Sequence, residues 1–188
     1  MSVLSKGAEA TIYETRDCIK KVREPKSYRI EELDTYLRKK RTKSEAKILK
    51  KLYPLTPKVI EESEYEIYME KIDGEKVRDV IQDSPNLGKE IGNVMAEMHD
   101  KNISHGDPTT SNMIYADTIK LIDFGLATMN ARVEDKAVDL HVFHSILRST
   151  HADTKEQIWK EFLQGYNPQN RDDIMERYEK VKQRGRYK

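Results

Sequence analysis

The sequence predicts an α+β fold of two lobes, a small β-rich N-terminal one and a mainly helical C-terminal one. Three observations carry that expectation. Short runs rich in apolar and β-branched residues, separated by turn signals, occupy Val3 to Tyr13, Asp17 to Arg23 and Glu64 to Glu70. Beyond them, apolar residues recur at helical spacing, as in Leu87, Ile91, Val94, Met95 and Met98. The length, 188 residues, suits one compact unit or two small lobes folded together. The expected division is residues 1–70 for the first lobe, 71–74 for a hinge, 75–180 for the second lobe and 181–188 for a basic tail.

Composition narrows the class. A net charge of +1 by itself points to neither nucleic acid nor membrane. Charged residues, rich in Lys and Glu, make up 36% of the chain, as in proteins from hot environments. The single cysteine, Cys18, rules out an internal disulfide and fits a reducing compartment. No apolar run has the length of a membrane span and no signal-peptide pattern opens the chain, so a cytoplasmic protein away from membranes is expected.

Taken in order, Val3 to Tyr13 reads as strand, turn and strand, with Gly7 the only glycine before Gly74. Asp17 to Arg23 is the next strand, and alternation lets only one of Lys20 and Lys21 point inward without saying which. Tyr28 to Tyr53 reads as two helices broken near Arg41. Ile30, Leu33 and Leu37 form one apolar stripe, and Ala46, Leu49 and Tyr53 another. Thr42-Lys43-Ser44-Glu45 matches a capping box, so Glu45 is either a local cap or a carboxylate with a distant partner. The run Arg38 to Lys43 is basic, a solvated face or a contact for RNA phosphates. Pro54 and Pro57 open a connector, followed by the strand Glu64–Glu70 and the turn signal Asp73-Gly74.

A short helix is expected near Lys76–Gln82, then a longer one after an N-cap signal at Ser84-Pro85, ending near Asn102. Further helices begin near Glu134 or Asp135, at Thr154, and around Ile174. Asp139 lies on the first of these, either facing solvent or bracing a loop. His141, His144 and His151 lack the partners of a structural zinc site. The last residues, Lys180 to Lys188, include Arg184, Arg186 and no acid, which fits either a solvated tail or an arm for nucleic-acid phosphates.

Chemistry concentrates in Ser104 to Ala127, SHGDPTTSNMIYADTIKLIDFGLA. It holds His105-Gly106-Asp107, then Asn112, then Asp123-Phe124-Gly125, with two short strand-like runs around Ala116-Asp117 between the last two. A hairpin there returns Asp123 beside Asn112. Phosphoryl transfer from ATP needs this set: one carboxylate by the attacking oxygen, and an amide and a second carboxylate holding Mg2+ on the phosphates. These residues resemble the protein-kinase superfamily, with Gly106 where most protein kinases carry Arg. No Ala-Pro-Glu follows, and the segment before the next helix is too short for a phosphorylation-controlled peptide-docking loop.

Across nearly the whole chain the sequence is similar to the small atypical kinases of the KEOPS (EKC) complex, the family that includes PRPK, in its archaeal form. The resemblance is carried by Lys6 to Ala10, Lys21 to Arg29, Arg41-Thr42 with Glu45-Ala46, and His105-Gly106-Asp107 with Thr109 to Asn112. It continues through Asp123 to Leu126, Glu134 to Leu140 and the Arg184-Gly185-Arg186 tail. Pro108 departs from a common leucine and restricts Asp107.

The resemblance implies a minimal kinase-like fold and an Mg-dependent ATPase and Ser/Thr protein kinase that supports threonylcarbamoyl-adenosine formation in tRNA. It selects Lys21 as the inward lysine on the ATP phosphates, ordered by Glu45. It makes Asp107 the residue that positions the attacking hydroxyl or water, with Asn112 and Asp123 on magnesium. It places Gly7, Ala8 and Glu9 in the nucleotide loop, and Met69, Glu70 and Ile72 at the adenine. His105 becomes a scaffold rather than a base. The implied partners are the threonylcarbamoyltransferase subunit, a small protein on the N-lobe, and tRNA through the complex and the basic tail. Two rival readings remain: a free-standing kinase resembling the RIO group, and a nucleotide-binding scaffold without turnover.

Overall fold

The computed structural model describes residues 2–184. The chain divides into two compact units, residues 1–73 and 74–188. The first unit is a five-stranded antiparallel sheet with one helix; the second is mainly helical with two small antiparallel sheets. This is the α+β class the sequence predicts, in its minimal kinase-like form.

In the first unit, β1 (Ser2–Lys6), β2 (Thr11–Glu14) and β3 (Cys18–Val22) form a meander. Then come α1 (Glu31–Leu52), β4 (Val59–Glu62) and β5 (Glu66–Glu70). The sheet order is β1-β2-β3-β5-β4, and β3 lies opposite β5 with Lys21 facing Ile67 and Ile19 facing Met69. Ile67 and Met69 alternate inward on β5, and Ala46, Ile48, Leu49 and Leu52 bury the C-terminal half of α1.

The expected break near Arg41 does not occur: α1 runs unbroken for 22 residues. No Gly or Pro interrupts it, and the Thr42 hydroxyl donates to the carbonyl of Arg38 four residues back, a bond made inside a helix rather than at its start. The apolar stripe at its N-terminal end also differs from expectation, because Ile30 and Leu33 are exposed, together with Tyr28 and Tyr36. Residues 59–62, expected as connector, form strand β4, which continues the sheet at the edge of β5.

The second unit begins with β6 (Glu75–Lys76), α2 (Val77–Val80) and α3 (Leu87–Asp100). Asn86, not Ser84, precedes α3, and no side chain caps it. Strand β7 (Ile103–Ser104) leads to the central stretch, a 3-10 turn Thr110–Asn112 and the hairpin β8 (Met113–Tyr115) and β9 (Ile119–Leu121). Strand β10 (Thr128–Met129) pairs with β7. Helices α4 (Val133–Thr150), α5 (Lys155–Gly165) and α6 (Arg171–Arg184) complete the unit.

Helices α3 and α5 cross at close range, and a Cβ on Gly92 would meet the carbonyl oxygen of Phe162 at 2.3 Å. Phe143, Phe162, Ile158 and Tyr166 fill the core beside Leu87, Ile91 and Met95. Helix α6 continues through Arg184, so the first four residues of the expected tail are helical; Gly185 to Lys188 lie outside the described residues. Among the described residues no helix is long and apolar enough to cross a membrane.

Candidate functional site

In the first unit the central pair is Lys21 and Glu45. Alternation along β3 leaves two candidate lysines, and packing separates them. Lys20 lies outward, 3.0 Å from Glu66 and over the Tyr68 ring. Lys21 is buried at 5% exposure and donates from Nζ to Glu45 Oε1 at 2.7 Å. Glu45 is 1% exposed, so its carboxylate serves this distant partner and not a helix start. Its second oxygen, Oε2, accepts from Arg23 Nη2 at 2.7 Å. Arg23 was not singled out from sequence, although its two-residue spacing from Lys21 puts both on one side of the strand.

The turn after β1 is closed by the Gly7 N–H on the Ala10 carbonyl at 3.0 Å. Gly7 and Ala8 are exposed. Glu9, placed by resemblance in the nucleotide loop, sends its carboxylate to Arg29 at 2.9 Å and to Arg41. Partial burial works against its charge, but the two guanidinium hydrogen bonds outweigh it and hold the Glu9 carboxyl below its usual range. Met69 is packed between Ile19 and Val59 in the sheet. Glu70 is exposed, with its backbone N–H on the Lys58 carbonyl at 2.9 Å, and Ile72 is half-buried in the segment that follows.

In the second unit the hairpin does what its spacing predicts. Met113 lies opposite Leu121, and the Ile122 N–H reaches the Asn112 carbonyl at 3.0 Å, so Asn112 and Asp123 sit at one end of the hairpin. The Asn112 amide nitrogen donates to the Asp107 carbonyl at 3.0 Å and to Asp107 Oδ2 at 2.9 Å. Asp107 is thereby oriented by the neighbour that the sequence predicts to hold metal. Asp123 has φ +62°, an uncommon conformation for a non-glycine residue and a frequent one at functional sites.

The loop around Asp107 is held from below. Asp139 is fully buried on α4; its Oδ2 accepts the His105 N–H at 2.6 Å and its Oδ1 the Gly106 N–H at 2.8 Å. This settles the open reading of Asp139 in favour of a brace. Because a carboxylate only accepts, His99 donates to it from Nε2 at 3.2 Å and accepts at Nδ1 from the Tyr166 hydroxyl at 2.7 Å. His105 donates from Nε2 to the Ile122 carbonyl at 3.1 Å, accepts the Asp107 N–H at Nδ1 and lies 4.5 Å from the Phe124 ring. Burial pushes its pKa down, so the neutral ring is the scaffold the sequence suggested.

Gly106 answers why this position is not a larger residue. Its φ is +82°, and a Cβ would meet the Leu126 carbonyl oxygen at 2.4 Å. The loop and the short segment after Gly125 are thus packed backbone to backbone. Thr110 is fully buried with its hydroxyl on His151 Nε2 at 3.0 Å, leaving Thr109 and Ser111 as the more open hydroxyls of the loop. His144 lies on the Trp159 ring and bonds Tyr178.

The donor set suits magnesium. The Asn112 amide nitrogen is committed to Asp107, so its oxygen is the atom left to meet a cation, on the residue that ends the hairpin with Asp123. Among the described residues no group of three or more His, Cys, Asp or Glu could hold a metal ion. Two hard oxygen ligands, completed by water and phosphate, are the kind of site magnesium uses.

A family model described as lipopolysaccharide core biosynthesis protein (WaaY) matches residues 35–158, a span that includes Asp107, Asn112 and Asp123 but not Lys21. Other relatives align over more of the chain. It is 42% identical over 185 residues to the EKC/KEOPS complex subunit BUD32 of Enterocytozoon bieneusi, covering 88% of this chain and 90% of that protein. It is 38% identical over 186 residues to the probable serine/threonine-protein kinase BUD32 homolog of Archaeoglobus fulgidus, covering 96% and 94%. A longer relative, the probable bifunctional tRNA threonylcarbamoyladenosine biosynthesis protein of Methanobrevibacter smithii, is 39% identical over 199 residues, which is 99% of this chain and 37% of that one. On these near-complete matches, the chain belongs to the BUD32 family of EKC/KEOPS complex subunits.

Proposed function

We propose that this protein is an Mg-dependent ATPase and atypical Ser/Thr protein kinase that supports threonylcarbamoyl-adenosine modification of tRNA within a KEOPS complex. The observation that carries the reading is the loop in the second unit, where Asn112 orients Asp107 at 2.9 Å and the hairpin returns Asp123 to the same end. Lys21, ordered by Glu45, engages the nucleotide phosphates. Asp107 accepts the proton of the attacking hydroxyl or water as that oxygen bonds the γ-phosphorus and the bond to the bridging oxygen breaks, releasing ADP. Asn112 and Asp123 hold magnesium, which supplies charge neutralisation on the phosphates. Gly7, Ala8 and Glu9 form the nucleotide loop, and Met69, Glu70 and Ile72 lie along the adenine.

The family and the surface support the proposed partners. The names of the longer relatives support a threonylcarbamoyltransferase partner. The exposed apolar stripe Tyr28, Ile30, Leu33 and Tyr36 supports a small subunit on the first unit, because such a stripe is a common mark of a protein interface. tRNA is reached through the complex and the basic tail, in a cytoplasmic setting.

The test is ATP hydrolysis with and without magnesium, alone and with the transferase partner plus tRNA, using Asp123→Ala as control. Stimulation by partner and tRNA that the variant lacks supports the reading. Partner-independent labelling of a protein substrate would make the chain a free-standing kinase, and no turnover in any mixture would make it a scaffold.

A further inference from the structure

Arg23 is buried at 3% exposure, an uncommon place for an arginine. Its backbone N–H extends the ladder of β3 to the Tyr65 carbonyl at 2.9 Å, which fixes where the side chain starts. The guanidinium then reaches Glu45 Oε2 at 2.7 Å, while Lys21 Nζ holds Oε1 at the same distance. Its Nε has no hydrogen-bond partner. A buried donor left unmade, beside a desolvated charge, is a poor arrangement for stability alone.

We propose that Arg23 is a positioning residue for nucleotide turnover. By occupying Glu45 Oε2 it keeps Oε1 on Lys21 before nucleotide arrives. This rests on Lys21 being the phosphate-contacting lysine. A carboxylate held at one oxygen can turn about its terminal bond or change rotamer; one held at both is fixed in plane, and a rigid guanidinium does this better than a flexible ammonium.

The rest of the molecule explains why such a lock is needed. In protein kinases this Lys–Glu pair is governed by helix placement and activation-loop phosphorylation. Here the segment between Gly125 and Val133 is short, and β10 ties it to β7. Arg23 is itself seated on α1, since its carbonyl accepts from Arg38, which pairs with the buried Asp34 at 2.6 Å and stacks on Tyr65. Asp34 continues through Arg29 to Glu9 in the loop after β1. The pair is thereby built into the first unit.

The experiment measures acylation of Lys21 by an amine-reactive ester, followed by peptide mass spectrometry, in full-length wild type, Arg23→Gln and Arg23→Lys. ATP hydrolysis is measured in parallel. Without nucleotide, Arg23→Gln should label about tenfold faster and Arg23→Lys about threefold faster, the scale expected for losing or weakening a hydrogen bond to a charged group. Addition of ATP and magnesium should slow the Arg23→Gln rate back toward wild type. KM for ATP should rise about tenfold in Arg23→Gln with kcat changed less, the signature of a pair that nucleotide must now assemble. Wild-type labelling rates in both variants overturn the proposal. If Arg23→Gln does not fold, a wild-type rate in Arg23→Lys alone overturns it. Failure of the nucleotide reading is separate: neither hydrolysis nor ATP protection of Lys21 would then occur in any form, while the nucleotide-free contrast between wild type and variants would still report on Arg23.

Discussion

In each unit a buried carboxylate, Glu45 or Asp139, supports the candidate functional residues, and the two are held in opposite ways. Glu45 in the first unit is held by side-chain cations, Lys21 and Arg23. Asp139 in the second is held by the backbone N–H groups of His105 and Gly106 and by an imidazole. A carboxylate set between cations orders other side chains, and a single substitution reverses it. A carboxylate set under backbone N–H groups shapes the loop itself, and any residue in that loop inherits the geometry. The Lys21–Glu45 pair in the first unit is therefore tunable residue by residue, whereas the loop carrying Asp107 stands or falls as a piece.

The largest expected effect separates chemistry from support. Asp107→Asn should reduce ATP turnover by about 100-fold or more, the usual scale for losing a proton acceptor, with urea stability close to wild type. A variant that keeps full turnover would remove Asp107 from the mechanism. Next comes Glu45→Ala, which leaves Lys21 and Arg23 buried together without their carboxylate. About 3–5 kcal/mol of stability should be lost, as when a buried ion pair is broken, and equilibrium denaturation measures it. A loss under about 1 kcal/mol would mean that the two cations are satisfied by water or by other groups, and the contrast with Asp139 would collapse.

Gly106→Ala probes the backbone side of the comparison. The new methyl meets the Leu126 carbonyl and the residue must hold a positive φ, so about 1–3 kcal/mol should be lost, with lower turnover per folded molecule. Unchanged stability and turnover would show that the loop is not packed against the following segment. By contrast, Glu134→Gln removes a half-buried carboxylate from Arg177 and Arg184 at the surface and should cost less than about 1 kcal/mol.

Acid should separate the units as well. Burial depresses the pKa values of His105, His144 and His151 in the second unit. The unfolded chain then binds protons that the folded one does not, so stability falls as pH drops below the ordinary histidine value near 6.5. In the first unit Glu9 has a depressed pKa, so its contribution is present above its ordinary value of 4.5 and is lost as pH falls through the lower, folded one. Hydrogen exchange from pH 7 to pH 4 should show protection lost first in the second unit. Simultaneous loss in both would contradict this ordering.

Much of the site was legible because its spacing is local. His105-Gly106-Asp107, Asn112 and Asp123 sit on one short stretch whose hairpin is written in the alternation of Met113–Tyr115 and Ile119–Leu121, and the register follows directly. The helices of the second unit were legible for the same reason, since an apolar stripe is a periodic signal. Helix α1 is not legible as one helix because Thr42 and Glu45 match a capping pattern that their tertiary partners overrule. Strand β4 was missed because it is short, mostly exposed and follows two prolines.

By itself, then, the amino-acid sequence determined the fold class, the order of the candidate phosphoryl-transfer residues and the family resemblance, all of which depend on residue types at fixed separations along the chain. Tertiary structure decided which residues serve which. It turned Lys21 inward and Lys20 outward, gave Glu45 a second cation in Arg23, and made Asp139 a brace. A strand's period offers two sides without naming the buried one, and a carboxylate's role depends on which distant donors reach it. Both are settled only when other elements pack against them.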